Sequence, residues 1–169
     1  MKGNAKDFLD KELTPTLDSL ATSKPFTAFV LMSAGIEFLG KGMRQDSPWD
    51  DKNHGRKDFD NAMKELFPEK YQQYNTQFKL YDTLRCGLLH IMMLKPGVVL
   101  HQSGEHHISD DGATLHLSCE ALLIDFKAAC AKLTTNKKYS KKLEQDFYEI
   151  NLDSQLQPTT AATSYNPTQ

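Results

Sequence analysis

Pro25-Phe26-Thr27-Ala28-Phe29-Val30-Leu31-Met32-Ser33-Ala34-Gly35-Ile36-Glu37-Phe38-Leu39-Gly40-Lys41 is the stretch whose reading decides the fold. Proline suits the first position of a helix, where its missing N–H would be unpaired anyway. From Phe26 to Leu39 the side chains are apolar on almost every side. That pattern predicts a helix buried at the centre of a bundle, not one lying on its surface. Thr27, Ser33, Glu37 and Lys41 interrupt it, and Gly40 and Gly42 offer a stop. A helix with no polar face needs other helices around it.

The flanks supply them. Asn4 is a helix N-cap, followed by Leu9, Leu13, Leu17 and Leu20 at steps of three or four, with Pro15 set to kink or divide that helix. After a loop around Ser47-Pro48-Trp49-Asp50-Asp51, a short helix is expected over Arg56 to Phe67. Pro68 then opens a long helix to Met93, with Tyr71, Tyr74, Phe78, Tyr81, Leu88 and Met92 as its apolar seam. Lys95-Pro96-Gly97 ends it. Val98 to His101 and Thr114 to Leu117, with Asp111-Gly112 between them, predict a β-hairpin over about residues 97–118 with a polar tip. Cys119 to Leu133 is helical again, and a weaker basic helix runs from Lys137 to Phe147. The expected fold is all-α, with roughly four to five core helices and the hairpin inserted before the last core helix. Residues 1–150 form the domain, and residues 151–169 a polar tail expected to be mobile or to dock.

Composition narrows the function. Of 169 residues 39% are apolar, and 20 basic side chains face 22 acidic ones, for a net charge of −2. The apolar fraction excludes a wholly disordered chain. The charge balance excludes coating of DNA or RNA by bulk charge, but not a local phosphate site. Cys86, Cys119 and Cys130 form no CxxC and read as reduced, buried thiols of a cytoplasmic protein. Met1 to Asp7 has no apolar core of a secretory signal, and the apolar run Ala28 to Leu39 is too short to span a bilayer. Neither GxGxxG, GxxxxGK[ST] nor GxSxG is present, so no cofactor is expected.

One residue does not fit the periodicity. At 100° per residue Arg85 lies within about 40° of Tyr74, Phe78, Tyr81 and Met92, in the middle of an apolar face, with His90 about 140° round. A guanidinium there is costly unless it meets a carboxylate, a phosphate or a partner chain. Glu37 and Asp82 are the two candidate carboxylates. Gly87, between Arg85 and His90, leaves room for another backbone to approach.

The RxxxxH of Arg85 and His90, late in a long helix of a small helical chain, resembles the HEPN superfamily of helical bundles. The lines Ala34-Gly35-Ile36-Glu37-Phe38-Leu39-Gly40-Lys41 and Leu80-Tyr81-Asp82-Thr83-Leu84-Arg85-Cys86-Gly87-Leu88-Leu89-His90 carry the resemblance, which covers roughly Phe26 to Leu133. It implies a homodimer in which the Arg85/His90 helices of two protomers meet across a two-fold axis. In nuclease members such a groove cleaves RNA without a metal. By position, Arg85 would hold the scissile phosphate and His90 would move the proton, with Glu37 and Asp82 in support. The residue after the motif arginine is often Asn, Asp or His in active members. Here it is Cys86, which removes one polar helper. The expectation is therefore a non-catalytic RNA- or nucleotide-binding or protein-interaction module, with a metal-independent endoribonuclease of a defence or toxin system as the alternative.

Other clusters read more plainly. His101, Glu105, His106, His107 and His116 are potential metal ligands, but adjacent strand residues face opposite ways and no HxH or HExxH exists, so no metal site is expected. Lys137, Lys138, Lys141 and Lys142 read as a solvated helix face, and the tyrosine stripe as core. Trp49 either caps the bundle or marks a contact surface.

Overall fold

The computed structural model of the chain describes residues 2–76, 79–89, 93, 95–104, 107–110 and 114–149. Among these, the chain is mostly helical. Strand β1 (Lys2–Asn4) leads into a continuous helix α1 (5–23), π-wound over Phe8–Leu13 and α-helical over Thr14–Ser23. Asn4 caps it, its Oδ1 accepting the Asp7 N–H at 2.8 Å. Pro15 neither breaks nor divides the helix. It stands just after the π-wound stretch, at the change of winding, where it takes one N–H out of the backbone ladder without ending the helix.

Helix α2 (Pro25–Met43) is the central element and touches α1 and every longer helix that follows. Phe29, Met32, Ile36 and Leu39 are essentially fully buried. At about 1.5–3 kcal/mol per buried side chain, these four account for roughly 6–12 kcal/mol of transfer free energy. Its 19 residues run longer than the apolar stretch alone, and by length and composition α2 could cross a membrane. Half of that window is buried inside the protein, as in the core helix of a bundle. Gly40 and Gly42 do not stop it. A Cβ on Gly40 would lie 1.8 Å from the Asp58 carbonyl oxygen, so this glycine exists to let two helix backbones touch.

Helix α3 (Gly55–Glu65) packs there, presenting Phe59, Ala62 and Met63 to the core. The long helix expected from Pro68 to Met93 is two helices, α4 (Lys70–Tyr74) and α5 (79–89). Asn75 makes the break. It is 4% exposed, its Nδ2 donates to Asp60 Oδ1 at 2.9 Å, and its Oδ1 accepts the Tyr81 N–H at 3.3 Å. A side-chain amide that replaces the helical backbone bonds in this way ends one helix and starts the next. Residues Tyr81–Leu88 of α5 are π-wound, so the wheel drawn at 100° per residue does not hold there. Phe78, His90 and Met92 lie outside the described residues.

The predicted hairpin strands form, but they pair differently. β2 (Val98–His101) runs parallel to β4 (Leu115–Ser118), and β3 (Ser109–Asp110) pairs antiparallel with β4, giving the order β2-β4-β3. The antiparallel pair is therefore β3 with β4 and not β2 with β4. Parallel strands need a longer crossover than a hairpin does, and the stretch between His101 and Leu115 provides it. Asp111 and Gly112, like Glu105 and His106, lie outside the described residues.

Ser118 caps α6 (Cys119–Thr135), its Oγ accepting the Ala121 N–H at 3.3 Å. Asn136 caps α7 (Lys137–Leu143). That last helix is shorter than expected, since Phe147 belongs to strand β5 (Asp146–Glu149), paired antiparallel with β1. The predicted tail, 151–169, lies outside the described residues.

Candidate functional site

Arg85 reaches from the π-wound part of α5 to α2, its Nε 2.6 Å from Glu37 Oε2. Both side chains are largely covered, at 23% and 17% exposure. Burial opposes the charge on Arg85, but the hydrogen bond and the charge of Glu37 outweigh it and leave its pKa above the ordinary value. The other Glu37 oxygen lies beside Gly55, where an added Cβ would come within 2.8 Å of Oε1. Gly55 is the first residue of α3, so the carboxylate sits at the positive end of that helix as well as against a cation. Tyr81, one turn before Arg85, packs edge-on against Phe59 at 5.5 Å. Burial raises its phenol pKa, with Cys86 and Glu37 adding to the effect.

Of the two carboxylates proposed for Arg85, the structure brings up Glu37. Asp82 pairs with Arg56 instead, at 3.3 Å and near the surface. His90 lies outside the described residues. The backbone that approaches Gly87 is the chain's own: the Met93 N–H donates to the Gly87 carbonyl at 3.1 Å, and a Cβ on Gly87 would lie 2.8 Å from the Met93 oxygen. Chemically, the pair gives a cation already matched by an anion. To hold a phosphate, Arg85 would have to share or leave Glu37.

The histidines divide between two places. His101 Nε2 and His116 Nδ1 are 2.8 Å apart on the neighbouring strands β2 and β4, with rings stacked at 5.1 Å. His107 bonds elsewhere, to Tyr71 and the Ser118 N–H. Among the described residues no group of three or more His, Cys, Asp or Glu side chains converges to hold a metal. A groove of about 420 Å³ between the start of α2 and β2 is lined by Phe26, Phe29, Val99 and His101.

Two polar centres escaped the sequence reading. Arg44, at the end of α2, forks onto Asp58 (Nε–Oδ1 2.7 Å, Nη2–Oδ2 3.0 Å) and places Nη1 2.8 Å from Asp51 Oδ2. His54 Nδ1 contacts the same Asp51 oxygen at 2.9 Å. These contacts pull the Asp51 carboxyl well below its usual range, the Asn53 backbone N–H contributing most. Lys142, from the supposedly solvated basic run, is 1% exposed; its Nζ bonds the Ser47 carbonyl and lies 4.8 Å from the Trp49 ring. Trp49 in turn stacks on Phe38 at 4.9 Å, so it caps the bundle. The only sequence signal for this centre was the concentration of Pro, Trp and Asp in the loop. For the tyrosine stripe the core reading holds at Tyr71 and Tyr81, both buried.

No protein-family model, curated protein or solved structure matches the chain. The site is therefore read from its own geometry.

Proposed function

We propose that this chain is a HEPN-like helical domain that acts as a non-catalytic, dimeric, cytoplasmic interaction module, binding RNA, a nucleotide or a protein without cleaving it. The observation that carries this reading is the 2.6 Å contact between Arg85 Nε and Glu37 Oε2. A guanidinium that must neutralise a scissile phosphate works best when it is preorganised for that anion. Here it is committed to an internal carboxylate that also faces the start of α3. Cys86 in place of a polar helper points the same way. In this reading Arg85 is a strut between α2 and α5, and the fold presents a surface instead of a reaction centre.

The test is incubation of a mixed RNA pool in EDTA with wild type, Arg85→Met and His90→Ala. Equal, background-level degradation by all three is expected. EDTA-resistant cleavage by wild type that both variants lose would establish the metal-independent endoribonuclease instead. Light scattering at micromolar concentration tests the dimer, and a monomeric mass would remove it from the proposal.

A further inference from the structure

Tyr71, His107 and Asp125 form a buried hydrogen-bonded chain that plays no part in the Arg85 site. His107 Nδ1 accepts the Ser118 N–H at 3.1 Å, so in this arrangement the ring proton is on Nε2. Nε2–H donates to Tyr71 Oη at 2.7 Å, and Tyr71 O–H donates to Asp125 Oδ2 at 2.7 Å. Lys70 Nζ contacts the same Asp125 oxygen at 3.1 Å. Tyr71 is 1% exposed and the His107 side chain 5%. The direction of every bond is fixed by the backbone donor at Ser118.

The next residue is under strain. Ile108 has φ of 49°, in the left-handed region that a β-branched side chain avoids. Such a residue costs about 1–3 kcal/mol and persists only where its surroundings enforce it. Ile108 is buried, and the bonds of His107 on one side and β3 on the other hold it in place.

We propose that His107 is an acid-operated latch: a second proton on its ring breaks the bond to the Ser118 N–H and frees residues 107–110 from β4. An imidazolium carries two N–H donors and no acceptor, so Nδ1–H would confront the Ser118 N–H. The strained backbone at Ile108 relaxes once that hold is lost, which favours release over local adjustment. The charged and titratable groups facing the ring are Lys70 and Tyr71 from α4 and Asp125 from α6; β4 offers the Ser118 backbone. Burial pushes the imidazole down to about 4, Lys70 assists, and Asp125 opposes.

The sign follows from where the proton binds. The released ring, near its ordinary 6.5, binds the proton more tightly than the latched ring near 4. Release is therefore suppressed above pH 6.5, grows as pH falls towards 4, and changes no further below that. The difference allows the opening equilibrium to rise by up to about 300-fold across the window.

The experiment is amide hydrogen exchange on the full chain from pH 7.5 to 4, corrected for intrinsic rates, with the His107 ring followed by NMR. Protection of the Ser118 amide, the β4 donor held by His107, is expected to fall at least tenfold more than protection in α2, tracking the ring titration. Lys70→Met should shift both midpoints to higher pH, and His107→Gln should flatten the Ser118 profile. Equal loss in α2 and at Ser118 would overturn the latch, as would a ring that titrates without any loss at Ser118 or an unchanged acid profile in His107→Gln. Should His107→Gln fail to fold, wild type and Lys70→Met decide between the same outcomes.

Discussion

Arg85 Nε stands 2.6 Å from Glu37 Oε2, and this one ion pair ties the π-wound helix α5 to the central helix α2. Neither side chain is fully buried, so its worth lies between that of an exposed pair and that of a sealed one.

The pair is open to a double-mutant cycle. Arg85→Met leaves Glu37 without its cation, and Glu37→Gln leaves Arg85 without its anion. Each single change is expected to cost about 2 kcal/mol in urea denaturation, chiefly through the charge left behind. The double variant should cost clearly less than the two singles added together. Strict additivity would show that the contact contributes nothing and would remove the strut from the functional reading.

Some of this was visible in the sequence. Phe26 to Leu39 announced a buried helix, because a helix apolar all round has nowhere else to go, and Glu37 within it required a strong donor. Arg85 was recognisable by its misfit to the helical period. Other features were hidden for physical reasons. The break at Asn75 depends on a side-chain amide finding Asp60 and the Tyr81 N–H, which are tertiary and quasi-local contacts that periodicity does not encode. The π-winding of Tyr81–Leu88 changes the period on which the helical wheel was drawn. The parallel pairing of β2 with β4, with β3 on the other edge of β4, is a tertiary arrangement that alternation within each strand does not encode. Arg44 and Lys142 resemble ordinary surface cations until the loop folds over them.

The three cysteines should differ sharply in reactivity. Cys119 and Cys130 are buried, and burial pushes their thiols up to about 11 and about 12. The thiolate is the reactive form, so at pH 8 both are expected to resist a disulfide reagent in the native chain. Cys86 is partly exposed and should react. One fast thiol in the native state and three after denaturation, counted by absorbance, is the expected result. Fast reaction of three thiols without denaturant would contradict the burial of α6.

Gly40→Ala tests the close contact between α2 and α3. The new Cβ would fall 1.8 Å from the Asp58 carbonyl oxygen, and backbone cannot rotate away as a side chain can. α2 and α3 must move apart, which loosens the bidentate Arg44–Asp58 pair beside them. A loss of about 3 kcal/mol is expected, or roughly 6–12 °C in Tm for a chain of this length. Calorimetry of the variant checks it. A Tm within a degree or two of wild type would mean that the two helices do not pack at this glycine.

Lys142 carries a charge in a place that barely tolerates one. Its side chain is buried, its Nζ bonds the Ser47 carbonyl, and it lies over the single tryptophan, Trp49. Burial lowers its pKa, and the nearby cations Arg44 and Lys41 lower it further. The folded chain thus holds this proton less tightly than the unfolded chain does. Between the lowered folded value and the ordinary one, the unfolded state binds more protons, so this group makes stability rise as pH climbs through that window. Lys142→Met keeps most of the packing volume while removing both the hydrogen bond and the buried charge. These losses and gains nearly offset, and the variant should lie within about 1 kcal/mol of wild type at pH 7. Its stability should then lack the alkaline rise that wild type shows. Urea titrations at several pH values from 7 to 10, read by Trp49 fluorescence, measure both effects in one experiment. Parallel stability profiles for the two proteins would show that Lys142 is solvated and that its charge plays no part in holding the loop around Trp49, which Lys41 also reaches at the Trp49 carbonyl.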